Sequence, residues 1–74
     1  MRVKEGDYIT YVAEKPNNRF EKRGYIYRVM EAPGGKQYAV VKFYKELPYT
    51  VEVSEDTIRL RGGNVSDEIR ENAI

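Results

Sequence analysis

The chain contains no cysteine, no histidine and no tryptophan. Without Cys no disulfide can staple the fold, and there is no Cys/His set for structural zinc. Without His the commonest general base is missing, and no Ser/His or Cys/His pair can be assembled for nucleophilic catalysis. Glu55-Asp56 is the one adjacent acidic pair before residue 62, and it sits where a tight turn accounts for it. Gly34-Gly35 lacks the helix start, the Lys and the Ser/Thr of a phosphate-binding loop. These absences argue against an enzyme, and no cofactor or metal is expected. No apolar run approaches the roughly 20 residues of a membrane span, and the first residues lack the apolar stretch of a signal peptide. A soluble, cytoplasmic protein without a membrane partner is the expectation.

Helix-length periodicity is also missing between Gly6 and Leu60. In its place stand short alternating runs, each bounded by Gly, Pro, Asn, Asp or Ser: Gly6–Val12, Gly24–Val29, Tyr38–Phe43, Tyr49–Val53 and Ile58–Leu60. Five short strands in so few residues predict an all-β chain folded as a small, highly curved five-stranded barrel. With 74 residues and no staples, stability must come from the apolar faces of those strands. Little surface is then left for a deep pocket, and small barrels of this kind are usually binding modules.

Alternation assigns the faces. Ile9 points inward, and Tyr8, Thr10 and Val12 share the opposite side. Glu14–Arg23, with Pro16 and two Asn, reads as a long polar loop held to the barrel by Phe20. Gly24 marks a close backbone approach. Ile26 and Val29 are three apart, so a β-bulge near Tyr27-Arg28 is needed to turn both inward. Ala32-Pro33-Gly34-Gly35 is the strongest turn signal, since Pro presets φ and Gly accepts φ > 0 at the next position. Val41 and Phe43 flank Lys42 and form the buried face of the third strand. After a turn at Lys45–Pro48, Val51 and Val53 face inward. Ser54–Thr57 suits one tight 3₁₀ turn, after which Ile58 and Leu60 join the core around exposed Arg59. The predicted core is Val3, Ile9, Ile26, Val29, Val41, Phe43, Val51, Val53, Ile58 and Leu60. Residues 1–61 form the barrel on this reading, and 62–74 a tail. Ser66 is an N-cap candidate there, and the nine residues that follow from it predict a frayed helix.

The Gly6-Asp7-Tyr8-Ile9, Gly24–Val29, Val41-Lys42-Phe43 and Ser54–Leu60 segments together resemble an SH3-like barrel, and among those are similar to the Tudor, KOW and CarD-type modules. The likeness spans roughly residues 3–61. A Tudor-type resemblance implies methylated Lys or Arg held in an aromatic cage. A KOW-type resemblance implies contact with RNA, the ribosome or RNA polymerase. A CarD-type resemblance implies a protein surface on the transcription machinery.

Net charge is +1, but residues 1–61 hold 12 basic and 9 acidic side chains whereas the tail holds Arg70 against Asp67, Glu68 and Glu71. A mildly basic body suits a polyanion. Arg19, Lys22 and Arg23, with Lys15, form the densest basic cluster, on or beside the first loop; Arg28 adds to it, and Lys42 and Arg59 extend a basic face. These are candidate phosphate contacts. The chain is rich in Tyr, and Tyr25, Tyr27 and Tyr49 are the candidate stacking surfaces beside those cations. Tyr also has high β propensity and covers the outside of a thin barrel, and a solvated loop balanced by Glu14 and Glu21 explains the basic cluster equally simply. The expected function is a non-catalytic module that binds nucleic acid or a nucleic-acid-associated protein complex. A protein-interaction adaptor using the Tyr-rich surface, or a methyl-lysine reader, are the alternatives.

Overall fold

Five strands are present, β1 Asp7–Lys15, β2 Asn18–Glu31, β3 Gln37–Phe43, β4 Tyr49–Glu52 and β5 Ile58–Asn64; the first four form a meander and β5 returns to pair with β1. The computed structural model describes residues 1–15 and 18–66, except for the side chain of Lys15. The strands form one antiparallel sheet in the order β4-β3-β2-β1-β5, so the chain is all-β as expected. The sheet curls without β4 pairing to β5, an open, barrel-like arrangement. None of the described helices is long and apolar enough to cross a membrane.

The curl originates in β2. Ile26 opposes Val41 and Arg28 opposes Val40, leaving Tyr27 as the extra residue of the expected bulge. The bulge brings Ile26, fully buried, and half-buried Val29 onto the same core. At Gly24 a Cβ would lie 2.4 Å from the Lys42 carbonyl oxygen, so β2 and β3 approach as closely there as only glycine allows. Between β2 and β3, Gly34 sits at φ 87°, ψ 9° after Pro33, the left-handed third position of the expected turn.

The core is Val3, Ile9, Ile26, Ala39, Val41, Phe43 and Ile58, with Tyr11, Val29, Tyr49, Val51 and Val53 packed against it. Burying each of the large aliphatic side chains contributes roughly 1.5–3 kcal/mol before chain entropy is set against it. Three expectations fail. Leu60 is 53 % exposed, because β5 is an edge strand and no further strand covers its end. Val12, placed on the outer face, is buried, its amide donating to the Thr57 carbonyl at 2.8 Å. Most of the supposed long loop is strand: Glu14–Lys15 end β1, Asn18–Arg23 begin β2, and the two stay in register from Tyr8↔Tyr25 to Lys15↔Asn18. β5 also runs past the boundary read at residue 61, and Val65 beyond it is buried, its amide donating to the Gly6 carbonyl. Gly6 itself sits at φ 91° with Asn64 against its α-carbon, which only glycine tolerates. The expected tail helix lies outside the described residues, apart from exposed Ser66. Ser54–Thr57 is a hydrogen-bonded turn, with the Thr57 and Ile58 amides both donating to the Ser54 carbonyl.

One buried polar side chain fixes the N-terminal segment. The Gln37 amide accepts from the Val3 N–H and donates to the Val3 carbonyl, both at 3.0 Å, as a neighbouring strand would. Removing it orphans two buried backbone groups, each worth about 1–3 kcal/mol. Gln37→Ala is therefore expected to lower stability by about 2–4 kcal/mol in urea unfolding. Gln37→Glu should not recover that loss at neutral pH, since an ionised carboxylate would be buried with one oxygen against the Val3 carbonyl.

Candidate functional site

Because β2 is extended from Asn18, its side chains alternate, and the basic cluster read as one loop is divided between two faces. Lys22 shares a face with Phe20 and Gly24. Arg19, Glu21, Arg23 and Tyr25 share the other.

On the inner side Lys22 is enclosed. Its Nζ lies 5.4 Å from the Phe20 ring centroid, 5.7 Å from Phe43 and 5.3 Å from Tyr49. The ammonium donates to Glu46 Oε1 at 2.8 Å and to the Tyr49 hydroxyl at 3.2 Å. The same rings pack on one another: Phe43 and Tyr49 edge-on with centroids 5.0 Å apart, Tyr11 and Tyr49 at 5.7 Å, Tyr11 and Phe43 at 6.0 Å. Lys22 is thus a latch between β2 and the β3–β4 turn, and Tyr49 is a half-buried member of its ring cluster. The hydrogen bond to Glu46, then that to Tyr49, raises the Lys22 pKa above 10.5.

Other expected phosphate contacts carry carboxylate partners. Arg19 meets Glu14 at 3.9 Å and Glu21 at 3.5 Å, and Glu21 also holds Arg59 at 3.2 Å. Arg28 lies 4.0 Å from Glu5 and stacks on the Tyr27 ring, 4.6 Å from its centroid. Arg2 is bonded to Glu31, and Lys36 lies 3.8 Å from Glu52. Lys15 lies at the end of β1, its side chain outside the described residues.

Arg23 is different. Among the described residues it forms no ion pair, and neither do Lys42, Lys45 and Arg61. Arg23, Lys42, Lys45 and Arg61 line one groove of about 430 Å³, together with Tyr8, Tyr25 and Tyr44, and among the described residues no acidic side chain lines it; Lys4, likewise in no ion pair there, lies outside the groove. The sheet explains the convergence. Tyr8 opposes Tyr25, and Tyr25 opposes Lys42, so the three form a row across β1, β2 and β3. Arg61 extends the row on β5, beside the register shift between Asp7 and Ile9. Gly63 keeps its backbone close to the Tyr8 ring, where a Cβ would be 3.2 Å from Cδ2. At the β3–β4 turn Lys45 adopts φ 57°, a left-handed conformation uncommon for a side chain of its kind, and its ammonium lies 5.4 Å from the Tyr44 ring centroid. Tyr44 is 82 % exposed.

Of the residues singled out by sequence, Arg23 and Tyr25 line this groove and Arg19, Lys22, Arg28, Tyr27 and Tyr49 do not. Lys42 was read only as extending the basic face, and Tyr8, Tyr44, Lys45 and Arg61 were not among the candidate contacts. Their signal was the repeated basic-x-Tyr spacing of Arg23/Tyr25 and Lys42/Tyr44 on strands that pair, which puts all four side chains on the non-core face. Among the described residues no group of His, Cys, Asp or Glu could hold a metal ion. No protein-family model, curated protein or solved structure matches this chain.

The Lys22 latch has a pH signature. Its pKa is raised on folding, so its stabilisation is complete below about pH 10.5 and is lost as pH climbs through the folded value. The stability difference between the native chain and Lys22→Met is expected to stay constant to about pH 10 and to shrink above it. A gap that persists unchanged at high pH would show that the ammonium is not what holds the cluster.

Proposed function

We propose that the chain is a non-catalytic binding module for nucleic acid or nucleoprotein machinery of the transcription or translation type, and that the Arg23–Tyr25–Lys42 groove is its contact surface. The observation that carries this reading is the sorting of the cations. Carboxylates neutralise Arg19, Lys22, Arg28 and Arg59, whereas Arg23, Lys42, Lys45 and Arg61 share one groove that no acid among the described residues lines. A cation already paired must give up its partner before it can displace a counterion from a phosphate; an unpaired one gives up only water. The interleaved tyrosines add the flat, half-apolar faces that nucleic-acid surfaces favour. The curled five-stranded sheet with a bulged β2 supports the resemblance to SH3-like modules, though fold alone assigns no partner.

A protein partner is the second reading, favoured by Tyr44 and Leu47, each more than four-fifths exposed at the same turn. The methyl-lysine reading has less support, because the rings that converge, Phe20, Phe43 and Tyr49, converge on Lys22.

Titration with DNA and RNA at two or more salt concentrations tests the proposal. Arg23→Gln, Lys42→Gln and Arg61→Gln are each expected to weaken binding and to flatten the log–log salt slope by about one. Arg19→Gln and Arg28→Gln should leave the slope near that of the native chain. Equal effects from both sets would show that the carboxylate pairing does not select the surface, and absence of binding at low salt would remove the function.

A further inference from the structure

We propose that the groove takes single-stranded rather than duplex nucleic acid, with unpaired bases against the tyrosine rings and the backbone on the cations at either end; this rests on the nucleic-acid reading above. The order along the sheet is Arg61, Tyr8, Tyr25, Lys42, one residue per strand. At the spacing of neighbouring strands this row spans roughly 14 Å, with a cation at each end and two adjacent rings between. Tyr44, at the far side of the groove, presents a third ring that is 82 % exposed.

Rings in this arrangement have little to gain from a duplex. Paired bases hide their faces within the stack and offer only edges and phosphates, whereas every unpaired base has a face that can lie on a ring. The groove, about 430 Å³, has room for a base and its phosphate. The part of this protein shaped to enter a duplex groove is the β1–β2 hairpin, since a two-stranded ribbon fits the major groove. That ribbon carries Glu14 and Glu21 on Arg19, which places carboxylates where phosphates would approach. Arg23, Lys42, Lys45 and Arg61, in no ion pair among the described residues, lie with the rings instead.

The test compares fluorescence-anisotropy titrations of the full chain with a short oligothymidylate, its RNA counterpart, a hairpin duplex of equal phosphate number, and heparin as a polyanion without bases. The single strands are expected to bind more tightly than the duplex. Tyr8→Ala and Tyr44→Ala should each weaken single-strand binding by about 5- to 150-fold and leave heparin binding unchanged. Tyr44 is the safer variant, because so exposed a ring does not hold the fold together. Duplex binding as tight as single-strand binding would overturn the inference and leave the nucleic-acid reading standing, as would ring variants within about twofold of the native chain. Binding to heparin alone, or to none of the four, would overturn both and indicate an anionic protein surface as the partner.

Discussion

Strand β2 has to pair along both of its edges with strands that diverge from one another. Its first part pairs with β1 from Asn18 to Tyr25 and its second with β3 from Gly24 to Glu31, so the two ladders overlap at Gly24 and Tyr25. A flat strand could satisfy both partners only in a flat sheet, which would leave one face of so short a chain uncovered. The conflict is resolved within four residues. Gly24 lets the Lys42 backbone come close, Ile26 is driven into the core, and Tyr27 is left out of the ladder. That bend encloses the core, and it also sets Tyr25 on the outer side between Tyr8 and Lys42. The hydrophobic interior and the basic groove are two faces of one kink.

The two ends of the chain depend on the interior in different ways. Gln37 treats the Val3 backbone as though it were an adjacent strand, supplying both halves of an amide pair from a side chain. At the other end the backbone of Val65 closes onto Gly6, while Asn64 reaches Asp7 and the Glu5 carbonyl. In a domain this small, with no disulfide, such polar closures stand in for the extra layer of apolar packing that a longer chain would have.

Strand positions were legible wherever a buried face alternates cleanly. Ala39, Val41 and Phe43 on β3, the bulge between Ile26 and Arg28, and the Pro33-Gly34 turn all carry their cause in the local sequence. The hairpin over Glu14–Arg23 did not, because Pro and Asn compose turns and its strand residues are polar on both sides. Nothing local reveals that Glu14 will oppose Arg19. Leu60 misled for the opposite reason: it alternates correctly with Ile58, but its strand is the last in the sheet. The groove was harder still. Which cations remain without partners depends on contacts such as Arg59 with Glu21 and Lys22 with Glu46, and those are long-range products of the register.

Lys22 and its rings are a ligand and a receptor joined by the backbone. A tethered group confronts its site at an effective concentration in the millimolar range or above, however dilute the protein. A free amine, or a methylated lysine on some other chain, would have to out-compete that resident occupant for Phe20, Phe43 and Tyr49. The tethered ammonium therefore holds the rings ahead of any amine in solution. Shortening that one side chain would take the local ligand concentration to zero.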